Sequence, residues 1–242
     1  MEFSNVYEDV RRADSYAKLE FPGTYYLAYR DIPDLISKYA MGKKALDFGC
    51  GTGRSTRFMQ KLGYDVVGID ISEEMIRKAN EIDPAGHYFL ISDGNLSRLD
   101  SNAYDLVLSA FTFDNIPSGK KISLFKEIAG TMKRGGVLIN LVSAPEIYLN
   151  EWASFSTKDF PENRVAVSGG KVSIIMTDVE DKRPVEDIMM TDIAYREIYE
   201  KAGLVLIDTH KPLGMESEQF NWINETIIPP WCIYILKKTE PK

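Results

Sequence analysis

A nine-residue run from Ala45 to Gly53, A-L-D-F-G-C-G-T-G, narrows what the rest of the chain can become. It reads as a short buried strand passing straight into a glycine-rich turn, after which Arg54, Ser55 and Thr56 open a helix. Gly49, Gly51 and Gly53 lack a Cβ, so the backbone can turn tightly and a ligand can approach its N–H groups. A second apolar run, Tyr64 to Asp70, ends in a carboxylate. In doubly wound α/β folds an acid about 20 residues beyond the glycine turn holds a ribose diol. The pair of runs predicts an open parallel sheet with its ligand beyond the carboxyl ends of the strands.

The ligand is not expected to be a dinucleotide. G-x-G-x-x-G would need a third glycine at 54 or 56, and those positions hold Arg54 and Thr56. The pattern is instead D-x-G-x-G-x-G. Asp47 would set a carboxylate against phosphates, and like charges repel; it suits a ligand that carries a cationic amine. This combination closely resembles motif I of the class I, Rossmann-like methyltransferases that use S-adenosylmethionine. The turn Lys133-Arg134-Gly135-Gly136 resembles the K-P-G-G turn of that family, with Arg134 in place of the proline. The resemblance covers residues 44–142 well and 191–238 loosely. It implies a seven-stranded, doubly wound, mostly parallel α/β sheet whose last strand is inserted antiparallel, with S-adenosylmethionine as methyl donor and S-adenosylhomocysteine as product.

Periodicity divides the chain into four parts. Residues 1–43 form an N-terminal helical cap, with helices over 4–20 and 24–39 separated by Phe21-Pro22-Gly23. Residues 44–143 form the cofactor-binding α/β core, with strands at 44–48, 64–69, 88–91, 104–109 and 137–142 and a helix over 118–132. Residues 144–190 break this rhythm with prolines and short β-like runs at 164–168, 171–177 and 185–190. Gly169-Gly170 predicts a hairpin there, so this segment reads as an antiparallel β insertion on the substrate side. Residues 191–242 complete the core sheet with a helix, a strand at 204–208, a loop over 211–230 and a strand at 231–236.

Strand ends supply the candidate site. The first offers Asp47 and the N–H groups around Gly49, Cys50 and Gly51; the second offers Asp70, whose carboxylate can accept from both ribose hydroxyls. Ile71 is placed to lie against the adenine, with Met75 one helical turn on. The resemblance further implies that Asp93 accepts from the adenine amine, with Gly94 and Asn95 closing the pocket, and that Arg30 in the N-terminal helical segment pairs with the methionine carboxylate. Residues 109–116, S-A-F-T-F-D-N-I, begin with Ser109 of the cofactor site and correspond to the loop beside the methyl-bearing sulfur. Where the family often carries a histidine, this chain has Asp114 and Asn115. These two and Tyr25 are the catalytic candidates. His87 lies on the far side of the sheet and His210 near its edge. An amine or carboxylate acceptor that arrives deprotonated needs no strong base, whereas a hydroxyl would. The insertion, the second helix and the 211–230 loop should roof the substrate.

Composition excludes several classes. A net charge of -7 without Lys/Arg clusters argues against nucleic acid. The acidic N-terminus lacks the apolar core of a signal peptide, and no run of 18 apolar residues predicts a membrane span. Two cysteines and two histidines, all scattered, give no disulfide framework and no metal spacing. The chain reads as a cytoplasmic methyltransferase transferring a methyl group to a small-molecule acceptor by in-line displacement. The alternative is a non-catalytic cofactor-binding module that acts as a sensor or partner subunit. A homodimer through the insertion is left open.

Overall fold

The structure is a computed structural model, and it describes residues 9–91 and 95–238. Strand β1 (Lys44–Phe48) is buried at every residue but its first, because it lies at the centre of the sheet. It pairs in parallel with β2 (Asp65–Asp70) and with β4 (Tyr104–Ala110). β3 (His87–Leu90) extends the β2 side, and β5 (Met132–Ser143) the β4 side. Three short strands follow, β6 (Phe155–Ser156), β7 (Lys171–Met176) and β8 (Val185–Ile188), and then β9 (Leu204–His210) and β10 (Trp231–Lys238). The seven-stranded order is β3-β2-β1-β4-β5-β10-β9, with β10 antiparallel to both its neighbours. The chain runs outward from β1 to β3 and then returns to β4 on the other side of β1. Their carboxyl ends therefore diverge and open a crevice.

Both faces of the sheet are covered, as the alternation of apolar residues requires. Leu106, Leu108, Ile233 and Ile235 pack on one face with α2 (Thr24–Arg30), α3 (Ile32–Tyr39) and α4 (Arg54–Lys61), which follow α1 (Val10–Ala17). Val107, Leu138, Tyr234 and Leu236 pack on the other. There they meet α7 (Ser118–Thr131) and α8 (Asp192–Lys201); α5 (Glu73–Ile82) and the short α6 (Thr112–Asn115) come earlier in the chain.

Three segments depart from the sequence reading. The single helix expected over 24–39 is divided at Asp31 into α2 and α3. Pro33 has no N–H to donate and its ring would collide with the carbonyl four residues back, so it is accommodated only in the first turn of a new helix. The helix expected over 4–20 is described only as Val10–Ala17, and residues 1–8 lie outside the described chain. The hairpin expected at Gly169-Gly170 is not formed. β7 pairs with β8 across residues 177–184 and with β6 on its other side, while Pro161–Val165 is a 3-10 turn. Val165 and Val167 are 81% and 73% exposed, whereas Val172, Ile174 and Met176 are buried in alternation. Only the latter run has an apolar face with something to cover it, so it alone makes a strand.

Candidate functional site

A cavity of about 540 Å³ opens at the carboxyl ends of β1, β2 and β4. The glycine turn forms its floor. Gly49 has φ 75°, and a Cβ there would stand 2.2 Å from the Thr112 hydroxyl, which donates to the Phe48 carbonyl. Gly49 thus lets the β1 turn and α6 touch. Gly51, at φ 53°, has no atom within 4 Å of where a Cβ would be, and it lines the open space. The turn's amides are not waiting for a ligand, contrary to the sequence reading. Gly49 and Cys50 both donate to the Ile69 carbonyl, and Gly51 donates to Asp70. Their contribution is shape. Burial pushes the Cys50 thiol well up from its ordinary range, so it stays protonated.

Asp70 lines the cavity with Ile71 and Met75. Its Oδ2 accepts from Gly51 N–H at 2.9 Å and its Oδ1 from Ser72 N–H at 2.9 Å. Each carboxylate oxygen has a second lone pair, so a fixed carboxylate can still accept from a diol. Ser72 caps α5 by accepting from Met75 N–H, which holds Met75 in the wall.

Other site candidates fall elsewhere. Asp47 is fully buried beneath the turn and does not line the cavity. Its Oδ2 accepts from Ser55 and Thr56 hydroxyls at 2.7 and 2.6 Å, and its Oδ1 has no partner. Burial pushes its carboxyl up to about 6. The expected contact with a ligand amine is replaced by a brace under α4. Arg30 is turned away into Asp31, Glu218 and the Leu213 carbonyl. Ser109 is buried, outside the cavity wall, with its hydroxyl unpartnered. Asn95 caps a 3-10 turn at the surface by accepting from Ser97 N–H. Asp93 and Gly94 lie outside the described residues.

Two cations line the wall, Lys120 and Arg54, and sequence reasoning passed over the latter as a failed glycine position. Its guanidinium lies 5.0 Å from the Tyr25 ring and 5.4 Å from that of Tyr29. It donates to the Glu20 carbonyl and forms no ion pair among the described residues. Phe111 was also missed. It holds φ 64°, a left-handed conformation that costs a side-chain-bearing residue roughly 1–2 kcal/mol. Such strain clusters at functional sites.

Beyond Phe111 lies a second chamber of about 70 Å³, which shares Tyr16, Arg54, Phe111 and Asn115 with the first. Tyr25, Asp114 and Asn115 all line it. Asp114 accepts from the Ser143 N–H and hydroxyl, and burial pushes its carboxyl up to about 8. Tyr25 is no base: its hydroxyl bonds Met176 Sδ at 3.0 Å and burial holds its proton firmly. The insertion supplies Phe155, Met176, Val185 and Asp187. His210 bonds Asp31 at 2.6 Å and lines neither space. Among the described residues no three of His, Cys, Asp and Glu stand together as a metal site, and no helix is long and apolar enough to cross a membrane.

Residues 46–140 match the methyltransferase domain family, on the segment that builds the glycine turn, the Asp70 strand and β4. The chain is similar to 2-methyl-6-phytyl-1,4-hydroquinone methyltransferase of Synechocystis sp., with 30% identity over 46% of this chain and 36% of that protein. It is also similar to the chloroplastic tocopherol O-methyltransferase of Arabidopsis thaliana, with 29% identity over 46% of this chain and 34% of that one. The chain thus spans about a third of the length of these two relatives. The fold as a whole is that of the CcbJ methyltransferase from Streptomyces caelestis. The TM-score is 0.68 at 17% identity, over 98% of this chain and 100% of that one.

Proposed function

We propose that this protein is an S-adenosylmethionine-dependent methyltransferase that acts on a small molecule. The observation that carries this reading is the adjacency of two spaces. A cavity of about 540 Å³ at the switch point of the sheet shares Tyr16, Arg54, Phe111 and Asn115 with a chamber of about 70 Å³.

The residues present fit the donor. Asp70 would take the ribose hydroxyls, Ile71 and Met75 would lie against the adenine, and Arg54 would take the carboxylate assigned from sequence to Arg30. Gly51 leaves the room for a ligand to lie close to the backbone. When bound, S-adenosylmethionine supplies a methyl group activated by its sulfonium. Phe111, Asn115 and Arg54 line both spaces and would position the acceptor against it. Holding two reactants in line can supply roughly 7–11 kcal/mol of the barrier, and no histidine is needed for that.

Calorimetry with S-adenosylhomocysteine tests the reading. Wild type is expected to bind it, and Asp70→Ala to bind at least about tenfold more weakly, since charge-assisted hydrogen bonds are the strong ones. A folded wild type that does not bind it would sink the proposal. Binding without turnover on any of a panel of amines, phenols and acids would instead favour a cofactor-binding module.

A further inference from the structure

The geometry points to the small chamber as an ammonium-binding subsite, so that the methyl acceptor is an amine that enters protonated and is met by Asp187. This inference rests on the methyltransferase reading and deepens it.

Asp187 is a residue of β8, in the insertion, and is 6% exposed. Its Oδ2 accepts from the Tyr148 hydroxyl at 3.0 Å. Its Oδ1 has no partner and is buried, while the side chain lines the chamber. A buried carboxylate oxygen without a donor is costly. A ligand that brings N–H groups would remove that cost.

Asp114 lines the same chamber, with its oxygens turned to the Ser143 N–H and hydroxyl. Two cations stand by: Lys121, whose buried ammonium donates to the Phe113 carbonyl, and Arg54, which lines the chamber and which the donor carboxylate would occupy in the reading above. Asp187 Oδ1 is left without a donor, so a ligand that brings N–H groups is accepted there and a carboxylate is repelled. Burial displaces both carboxyls upward.

The remaining walls suit a cation. Tyr25, Phe111, Phe155 and Trp231 meet one another with ring centroids 4.8 to 6.0 Å apart. Aromatic faces attract ammonium groups through the ring quadrupole. An ammonium has no lone pair with which to accept a methyl group, so its proton must leave first. It passes to Asp187 Oδ1, the nitrogen keeps the electron pair, and the carboxylate becomes a neutral acid. An acid raised by burial takes that proton more readily than an exposed one.

Calorimetry on protein saturated with S-adenosylhomocysteine, using benzylamine, benzyl alcohol and benzoate at pH 7.5, tests this directly. Benzylamine is expected to bind about tenfold or more tightly than benzyl alcohol, with benzoate weakest. Asp187→Asn should weaken benzylamine by about tenfold and leave benzyl alcohol and S-adenosylhomocysteine unchanged. If that variant does not melt cooperatively, Tyr148→Phe replaces it. Phenylalanine keeps the carboxylate and frees its second oxygen, so the preference for amine over alcohol must persist. The inference is overturned by undetectable benzylamine binding, by alcohol or benzoate binding as tightly as the amine, or by an Asp187→Asn or Tyr148→Phe result opposite to these. Loss of S-adenosylhomocysteine binding by folded wild type would overturn the methyltransferase reading itself.

Discussion

Asp47 shows how little a residue's place in a motif says about what its side chain faces. It stands two residues before the first glycine of the turn, yet its carboxylate lies under the cavity floor. Ser55 and Thr56 hold it there. Its folded-state pKa of about 6 exceeds the ordinary aspartate value because of burial. Between these two values the folded protein binds more protons at Asp47 than the unfolded chain does. Its contribution to stability therefore falls as pH rises from about 4 to 6. Asp47→Asn removes that dependence while keeping an oxygen for the two hydroxyls. Urea titrations at pH 4.5 and 7.5 should show the variant gaining on wild type at the higher pH by about 2 kcal/mol, the part of the linkage of a shift of about two units that falls between those values. An equal difference at both values would show that folding does not raise the Asp47 pKa.

At the scale of elements, the contact between the β1 turn and α6 decides the shape of the floor. A Cβ on Gly49 would meet Thr112 at 2.2 Å, and alanine at φ 75° would be strained besides. Gly49→Ala is expected to lose roughly 2 kcal/mol or more of unfolding free energy. Adding Thr112→Ala should recover part of that loss, because the hydroxyl and methyl are the nearest atoms. Full additivity in the double-mutant cycle would show that the two do not touch. The turn, β1, β2 and α4 were legible in the sequence because a strand, three glycines and a helix start are local signals. Exposure of Val165 and Val167 was not. Their run has the same composition as a strand, and only its lack of a covering layer kept it from pairing.

For the whole molecule, the chamber is assembled from parts distant in the chain, and Glu225 ties three of them together. It is fully buried. One oxygen accepts from Thr24 Oγ1 at 2.6 Å and Ala153 N–H at 2.7 Å, and the other from Ile223 and Asn224 N–H groups. Those donors belong to α2, to the segment before β6 and to the loop before β10. Glu225→Ala leaves them buried without an acceptor, which is expected to cost about 3 kcal/mol. In a chain of this size that lowers the melting temperature by about 6–12 °C. Hydrogen exchange should then quicken across α2 and residues 150–157 together. Faster exchange in only one of them would mean that the parts are held independently.

The glycine turn, the core strands of the sheet and the carboxylate of Asp70 at the end of β2 were set by the sequence alone, and the seven-stranded order came from the family resemblance that the turn carries. The first three follow from hydrophobic alternation, glycine or a strand-end acid, and these act within a few residues. The tertiary structure decided which charged groups face the cavities. It placed Arg54 in the wall instead of Arg30, put Asp47 beneath the floor, and brought Asp187 beside Asp114 from 73 positions further along the chain. Those outcomes depend on which side chains exclude water from which, and that is settled only when distant segments pack.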